Sequence, residues 1–242
     1  MESWKVRNGH EEPGSGVRSW ESKGRRAKSK EFGCHWSHEG PFLEMQPSVD
    51  DFRQIINDLQ RVREAGVRVF GSDSHGFEVN EVMSEKEVQR FEMKHGIRLP
   101  IDYRMFLLHV GRGGAGPAYG LFDLGEMDDG HEMKKWRANG SFVGRISEDF
   151  PGARFLRKGS WTSLDGAIPI CHLGCALRQW LVVSGKEAGS VWNDNRADEA
   201  GIEPWRFREQ RRSTFYTWYR SWLDEAVAIL CRSLGKRFVR NV

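Results

Sequence analysis

Apolar side chains at helical spacing begin just after residue 46. The first stripe consists of Phe52, Ile55, Ile56, Leu59 and Val62. Ser48, with Asp51 three residues later, forms a capping-box pattern in which Asp stands in for the usual Glu or Gln. Gly66 suits the left-handed residue that often follows the end of a helix. These signals predict an amphipathic helix between Ser48 and Gly66 that buries one face.

Two further helices are predicted before residue 111. Ser84 and Glu87 are spaced to cap each other at the start of the second helix, which Gly96 would end. Pro100 suits the first position of the third helix, because its fixed φ is already helical, and Gly111 would close it. The apolar faces comprise Val88 and Phe91 in the second helix and Tyr103, Phe106, Leu107 and Val110 in the third.

The periodicity changes after Gly111. A glycine-rich turn leads into a predicted strand at residues 121–124, and the polar segment 125–166 is predicted to hold loops with one short strand or helical turn. Short apolar runs separated by turn residues then predict an antiparallel meander. Its strands are residues 167–171, 179–183 and 190–192.

The chain closes with a long apolar stripe at helical spacing. It starts at about Thr214 and comprises Phe215, Trp218, Tyr219, Trp222, Ala226, Ile229 and Leu230. Such a stripe predicts a C-terminal helix with one buried face. The predicted fold class is therefore α+β, with N-terminal helices and a long C-terminal helix packed on an antiparallel meander.

Residues 1–45 differ from the rest of the chain in composition and in the pattern of their apolar residues. They contain scattered charges and glycines and no sustained apolar face, so they bury too little surface to offset the entropy of ordering. We expect either a disordered tail or an extension upstream of a true start at Met45. Residues 46–242 are then the folded domain.

Composition excludes several classes of protein. Of the 242 residues, 38% are hydrophobic and 29% charged, and no apolar stretch approaches the roughly 20 residues that cross a bilayer. The N-terminus also lacks the apolar core of a secretory signal, so we expect a cytoplasmic protein without membrane contact. The 37 basic residues nearly balance the 34 acidic ones, for a net charge of +3. We therefore expect no direct binding of nucleic acid.

The glycine-rich turn at residues 111–116 is a poor candidate for a phosphate loop. A phosphate loop follows a strand and opens a helix, so that backbone amides and the positive end of the helix meet the anion. This turn follows a helix, leads into a strand, and lacks the GK[ST] ending. We predict a structural turn that needs positive φ angles.

Metal and nucleophilic chemistry are also weakly supported. Cysteine and histidine occur together at residues 34–38 and 171–175, but neither group has the spacing of a zinc half-site. We expect Cys171 and Cys175 to be core thiols at the end of a strand. The chain has no G-x-S-x-G elbow and no cysteine-protease neighbourhood. The prediction is that it has no catalytic residues, no cofactor and no metal.

The ordered motifs resemble the SUKH superfamily, which includes bacterial immunity proteins and the yeast cell-wall-synthesis regulator. The resemblance rests on LPIDYRMFLL at residues 99–108, on the double glycine followed by GPAYGL at 116–121, and on the strand, turn and strand of 168–183. It covers about residues 46–235, and Arg112 replaces the Asn that usually precedes the double glycine. The positions that carry the structural signature are Pro100, Tyr103, Phe106, Gly113, Gly114, Gly116, Gly120, Gly174, Trp192 and Trp222.

The resemblance implies protein binding rather than catalysis. Bacterial members are similar to antidotes that inhibit polymorphic toxins, often nucleases, by direct contact. A cognate toxin is therefore the leading expectation for the partner. A regulatory scaffold similar to the fungal regulators is the alternative, and an enzyme of unassigned class is a third. The oligomeric state stays open.

Two acidic segments are the predicted toxin-binding residues, because a nuclease presents a basic substrate cleft. They are Asp123, Glu126, Asp128, Asp129 and Glu132 in the first segment, and Asp194, Asp198 and Glu199 in the second. Both segments follow strands of the meander, so we expect them to project from one edge of the sheet. The alternative is that they are ordinary solvated loops.

Overall fold

Four α-helices and two antiparallel sheets make up the part of the chain that the computed structural model describes. The described residues are 46–128, 133–135, 145–152, 164–208 and 213–240. The helices are α1 (Val49–Glu64), α2 (Glu85–His95), α3 (Ile101–His109) and α4 (Phe215–Arg240). The strands are β1 (Glu126–Asp128), β2 (Met133–Lys135), β3 (Ala167–Gly174), β4 (Leu177–Val182), β5 (Val191–Asn195) and β6 (Gly201–Pro204). No helix in these ranges is long and apolar enough to cross a membrane.

Capping boxes start α1 and α2 where the sequence predicts them. In α1 the Asp51 N–H donates to Ser48 Oγ at 3.3 Å, and the Ser48 N–H donates to Asp51 Oδ2 at 2.7 Å. Ser84 and Glu87 make the same pair of bonds at α2. Gly96 then ends α2 in the left-handed conformation, with φ of +64°. Local side-chain chemistry therefore sets the ends of both helices.

The main sheet is the predicted antiparallel meander, with strand order β3-β4-β5-β6. The α+β class is thus confirmed. Residues 121–124, however, are not a regular strand. Leu121 makes isolated bridges to Gly114 on one side and Cys171 on the other, and Phe122 donates its N–H to Ile170 O at 3.0 Å. The segment lies along the outer edge of β3 without a continuous ladder. β6 was not predicted, and residues 125–166, where one short strand or helical turn was predicted, contain the two short strands β1 and β2.

The helices cover one face of the main sheet. α1 packs against α3 and α4, and α4 reaches the sheet where Trp218 Nε1–H donates to Gln179 Oε1 on β4 at 3.1 Å. On β5, Trp192 takes Phe150 edge-on with ring centroids 4.9 Å apart. The helices therefore cover one face of the sheet, and the loop around Phe150 covers part of the other.

The LPIDY motif docks the start of α4. Asp102 is 5% exposed, and its Oδ2 accepts the backbone N–H of Tyr216 at 2.9 Å, although 114 positions separate the two residues. Tyr103 and Phe106 contact the Phe215 ring with centroids 4.7 and 5.1 Å away. The motif therefore supplies a cap and a packing surface to the C-terminal helix.

The glycine turn is structural, as predicted. Gly114 has φ of +96°, and a Cβ there would lie 2.6 Å from Glu78 O. A Cβ on Gly113 would lie 2.2 Å from Asp123 Oδ1, and one on Gly120 would lie 2.5 Å from Gly114 O. Larger side chains would have to push backbone atoms apart. These glycines allow the turn to pack closely against residues 78–80 and Asp123.

Candidate functional site

An open groove of about 570 Å³ lies beside the outer edge of β3. One wall comes from the loop after α1 and the other from the glycine turn with the segment that follows it. The side chains that give it chemical character are His75, Glu78, Asn80, Tyr119, Asp123, Glu126 and His172. No lysine or arginine is among the described residues that line it.

Backbone pairing positions the second wall. Tyr119 N–H donates to His172 O at 3.3 Å, so the Tyr119 ring is held beside the end of β3. Gly174 makes room for it, because a Cβ at this position would lie 3.0 Å from Tyr119 Cε2. The signature glycine Gly174 therefore supports the placement of an exposed aromatic side chain.

Tyr119, which lines the groove, forms an exposed aromatic pair with Phe70. Their ring centroids are 5.6 Å apart at 71°, and the residues are 70% and 43% exposed. Gly71 permits the approach of the two loops, since a Cβ there would lie 2.1 Å from Ala118 O. Two large rings in contact and open to solvent are typical of the centre of a protein interface rather than of a free surface.

Three carboxylates line the groove together with Tyr119. Glu78 contacts Arg63 from outside the groove, with 2.5 Å between Nη2 and Oε1. Asp123 Oδ1 accepts Asn80 Nδ2–H at 2.6 Å, and its Oδ2 lies 3.7 Å from Arg112 Nε. Glu126 stands opposite Lys135 in the β1–β2 register. The described lining of the groove is therefore acidic, since it holds three carboxylates and neither lysine nor arginine.

His75 adds no positive charge to this groove at neutral pH. Its Nδ1 accepts the Phe77 N–H at 3.0 Å, so the hydrogen of the neutral ring lies on Nε2. Burial lowers the pKa of His75, and a hydrogen bond with the backbone of Gly116 opposes that shift only in part. Because a buried imidazole resists protonation, the acidic character of the groove persists at pH 7.

Unusual backbone conformations gather around the groove. Outside glycine, six described residues have positive φ. Two of the six, Phe77 and Ala118, directly precede the groove-lining residues Glu78 and Tyr119, and Cys175 follows Gly174, whose Cα faces the Tyr119 ring. Such conformations cost energy and cluster at functional sites. They support this edge of the sheet as a functional surface.

The prediction that both cysteines are core thiols is right for Cys171 and wrong for Cys175. Cys171 is a buried core thiol, its Sγ–H donates to Pro117 O at 3.0 Å, and burial raises its pKa. Cys175 is exposed instead. It forms a two-residue turn with Ala176 between β3 and β4, so its side chain points away from the core. Within the described ranges no group of three or more His, Cys, Asp or Glu side chains is placed to hold a metal ion.

The first predicted acidic segment is only partly described. Asp123 and Glu126 line the groove. Asp128 lies in β1, and the prediction for its side chain stays open. Asp129 and Glu132 lie outside the described residues. Phe70, His75 and Glu78 were missed, because they lie in a stretch without helical or strand periodicity. An aromatic residue followed by a turn glycine was the available signal at Phe70.

One predicted residue of the second acidic segment is buried, and the other two are exposed. Asp194 is 5% exposed, and Arg196 binds it through both carboxylate oxygens, at 2.7 Å from Nε and 2.6 Å from Nη2. Trp180 Nε1–H donates to the same carboxylate at 3.1 Å. Asp194 therefore presents no free charge to a partner. Asp198 and Glu199 are exposed in the turn between β5 and β6.

The two acidic segments do not share an edge of the sheet. The described part of the first lies beside β3, whereas the second joins β5 to β6 at the opposite edge. Neighbouring strands lie about 4.8 Å apart, so roughly 10 Å or more separates the two segments across the sheet. The prediction of a common edge is wrong, because the meander adds each strand on the side away from β3.

The structure is thus an α+β domain with an open aromatic and acidic groove. The SMI1 / KNR4 family (SUKH-1) matches residues 83–220 of the chain, which is more than half of the 242 residues, so the protein belongs to the SUKH superfamily. A search of curated proteins and a search of solved structures each found no match. The family is generally non-catalytic, and membership points to protein–protein interaction in general.

Proposed function

We propose that this protein is a non-catalytic, cytoplasmic immunity protein that neutralises a cognate toxin by direct binding. The observation that carries the proposal is the exposed Phe70–Tyr119 pair beside three carboxylates. Large rings at the centre and charges at the rim are the usual anatomy of a protein interface. The SUKH assignment supports protein binding as the purpose of such a surface.

The mechanism is occlusion of a basic surface on the toxin. A toxin that acts on nucleic acid needs a positively charged cleft to hold its substrate. The acidic groove complements such a cleft, so charge steers the approach of the two proteins and the aromatic pair anchors the complex. Blocking the cleft stops the toxin without any chemical step by the immunity protein.

Neutralisation can be tested once a toxin reading frame is identified next to the gene. Full-length protein is titrated against the purified toxin, and the residual toxin activity is measured. A stoichiometric endpoint supports the proposal. Inactivation of many toxin molecules by one protein molecule would show catalysis, and retention of several unrelated partners without toxin inhibition would favour the regulatory scaffold.

The binding surface is tested with a double variant, Phe70→Ala with Tyr119→Ala. We expect at least a hundredfold loss of affinity, equivalent to about 2.7 kcal/mol, because hot-spot aromatics carry most of the energy of an interface. Met93→Ala is the control, since Met93 is also a strongly exposed apolar residue but lies on α2, outside both the aromatic pair and the groove lining. Equal losses in both variants would contradict the assignment of this surface.

A further inference from the structure

We propose that the groove is a receptor for an arginine side chain on a basic partner protein. The inference rests on the proposed function and specifies which chemical group of the partner enters the groove. The guanidinium would stack on Tyr119 and pair with the carboxylates of Glu78 and Glu126.

The aromatic wall favours a flat cation. Tyr119 is 43% exposed, and its ring centroid lies 5.6 Å from that of Phe70 and 5.4 Å from that of His172. Phe70 meets the ring at 71° and His172 at 32°. The flanking rings hold Tyr119 in place, so a planar group can stack on it without ordering a mobile side chain.

The charge of the groove matches a cation. Three carboxylates line the groove, and none of the described lining residues is a lysine or arginine. Glu78 already forms an ion pair with Arg63, which does not line the groove. Since a carboxylate offers about four lone-pair sites, one such contact leaves it able to accept hydrogen bonds from a second guanidinium.

Arginine fits the groove better than lysine. A guanidinium is planar, stacks on aromatic faces and is more weakly hydrated than an ammonium group, so it loses less on leaving water. It also donates from several nitrogens in one plane and can reach two carboxylates while it stacks. The volume of about 570 Å³ leaves space for the backbone that carries the side chain.

The inference can be tested without the toxin by nuclear magnetic resonance. Full-length, ¹⁵N-labelled protein is titrated with N-acetyl-arginine amide, with the lysine analogue, and with the citrulline analogue, which is a neutral isostere of arginine. We expect the arginine probe to shift the amide signals of Tyr119, Gly120 and His172 in a saturable way, and the lysine probe to bind at least threefold more weakly. No saturable shift up to about 50 mM, or equal shifts with citrulline, would overturn the inference.

Variants separate the groove from general surface charge. Tyr119→Leu keeps an apolar side chain but removes the ring, and Glu78→Gln with Glu126→Gln removes two charges. Each should weaken binding of the arginine probe at least threefold. Asp198→Asn with Glu199→Gln removes two exposed charges at the far edge of the sheet and should leave binding unchanged. Equal weakening in this control would show general charge attraction and overturn the inference.

The two proposals fail separately. A protein that neutralises its toxin but does not bind the arginine probe would refute the arginine receptor and leave the immunity function standing. A protein that binds the probe through Tyr119 but protects against no toxin would refute the immunity function and leave the receptor standing.

Discussion

Asp102→Ala should destabilise the protein by removing a cap from α4. Asp102 Oδ2 accepts the Tyr216 N–H at 2.9 Å, and Oδ1 accepts the Tyr103 N–H at 2.9 Å. Tyr216 is the second residue of α4, where a backbone N–H has no partner inside the helix. The carboxylate therefore does for α4 what an N-cap side chain does for an ordinary helix. Thr214 caps the next position, since its Oγ1 accepts the Thr217 N–H at 3.3 Å.

The size of the effect follows from two opposed terms. Loss of a helix cap costs about 1 kcal/mol, and a buried N–H left without an acceptor costs about 1–3 kcal/mol. Removing a carboxylate that burial desolvates offsets part of this cost. We expect Asp102→Ala to lower the free energy of unfolding by about 2 kcal/mol. Asp102→Asn keeps an acceptor oxygen and should cost about 1 kcal/mol or less.

The pH dependence gives an independent check. Burial raises the pKa of Asp102 above its ordinary value of 3.8, although backbone hydrogen bonds from Tyr216 and Tyr103 oppose the shift. The folded protein therefore holds this proton more tightly than the unfolded chain. The stability that Asp102 contributes is fully present below pH 3.8 and declines as the pH rises through the folded pKa. Asp102→Asn does not titrate and so removes this decline. Its free energy of unfolding should therefore lie closer to that of the parent at pH 7 than at pH 4.

Urea denaturation followed by tryptophan fluorescence measures these differences. The midpoint should fall in Asp102→Ala while the slope with urea stays constant, because the surface exposed on unfolding is unchanged. Asp73→Ala is the control, since Asp73 is a largely exposed aspartate. The capping role would be refuted if Asp102→Ala stays within about 0.5 kcal/mol of the parent, the range of an ordinary surface substitution.

Three further changes test the turn, the interior charges and the groove histidine. Replacing Cys175 by Asn and Ala176 by Gly should raise stability by about 1 kcal/mol, because Asn-Gly suits a two-residue turn with positive φ; a lower thermal midpoint would contradict this. Arg220→Met should cost about 3 kcal/mol in urea denaturation, since it removes the 2.7 Å ion pair with the buried Asp58. Arg61 Nη1–H and Gln54 Nε2–H also donate to Asp58 Oδ1, each at 3.0 Å, and an unchanged midpoint would show that these two bonds suffice. Burial lowers the pKa of His75, so the unfolded chain binds this proton more readily and the protein loses stability as the pH falls below 6.5. His75→Gln should flatten this loss between pH 7 and 5, and a pH profile identical to that of the parent would refute the reasoning.

The sequence by itself determined the helices and the meander. Ser48 and Ser84 with their acidic partners identify the starts of α1 and α2, because a capping box involves residues only three positions apart. Strands β3, β4 and β5 follow in the same way from short apolar runs and turn residues, whereas β6 was not predicted. Signals of this kind are local, so they can be read without knowing what the element packs against.

The groove depended on contacts between distant segments. Tyr119 lies in a motif that the sequence identified, but nothing in that motif shows that its ring is exposed or that Phe70 meets it. Gly71 permits the contact because its missing Cβ lets Ala118 approach, and such a pairing is not visible from spacing along the chain. Asp123 and Glu126 were predicted as binding residues from charge, and the structure places both in the groove lining.

Only the tertiary structure decided which carboxylates face solvent. Asp194 and Asp198 lie four positions apart in the same acidic stretch, and their local sequence does not distinguish them. Asp194 belongs to β5, where alternation turns its side chain to the buried Trp180 and Arg196 closes over it, whereas Asp198 has left the strand. The distance between the two acidic segments was likewise decided by the order of the strands. Burial and strand order both depend on the packing of the whole sheet, and therefore on contacts that no single stretch of sequence contains.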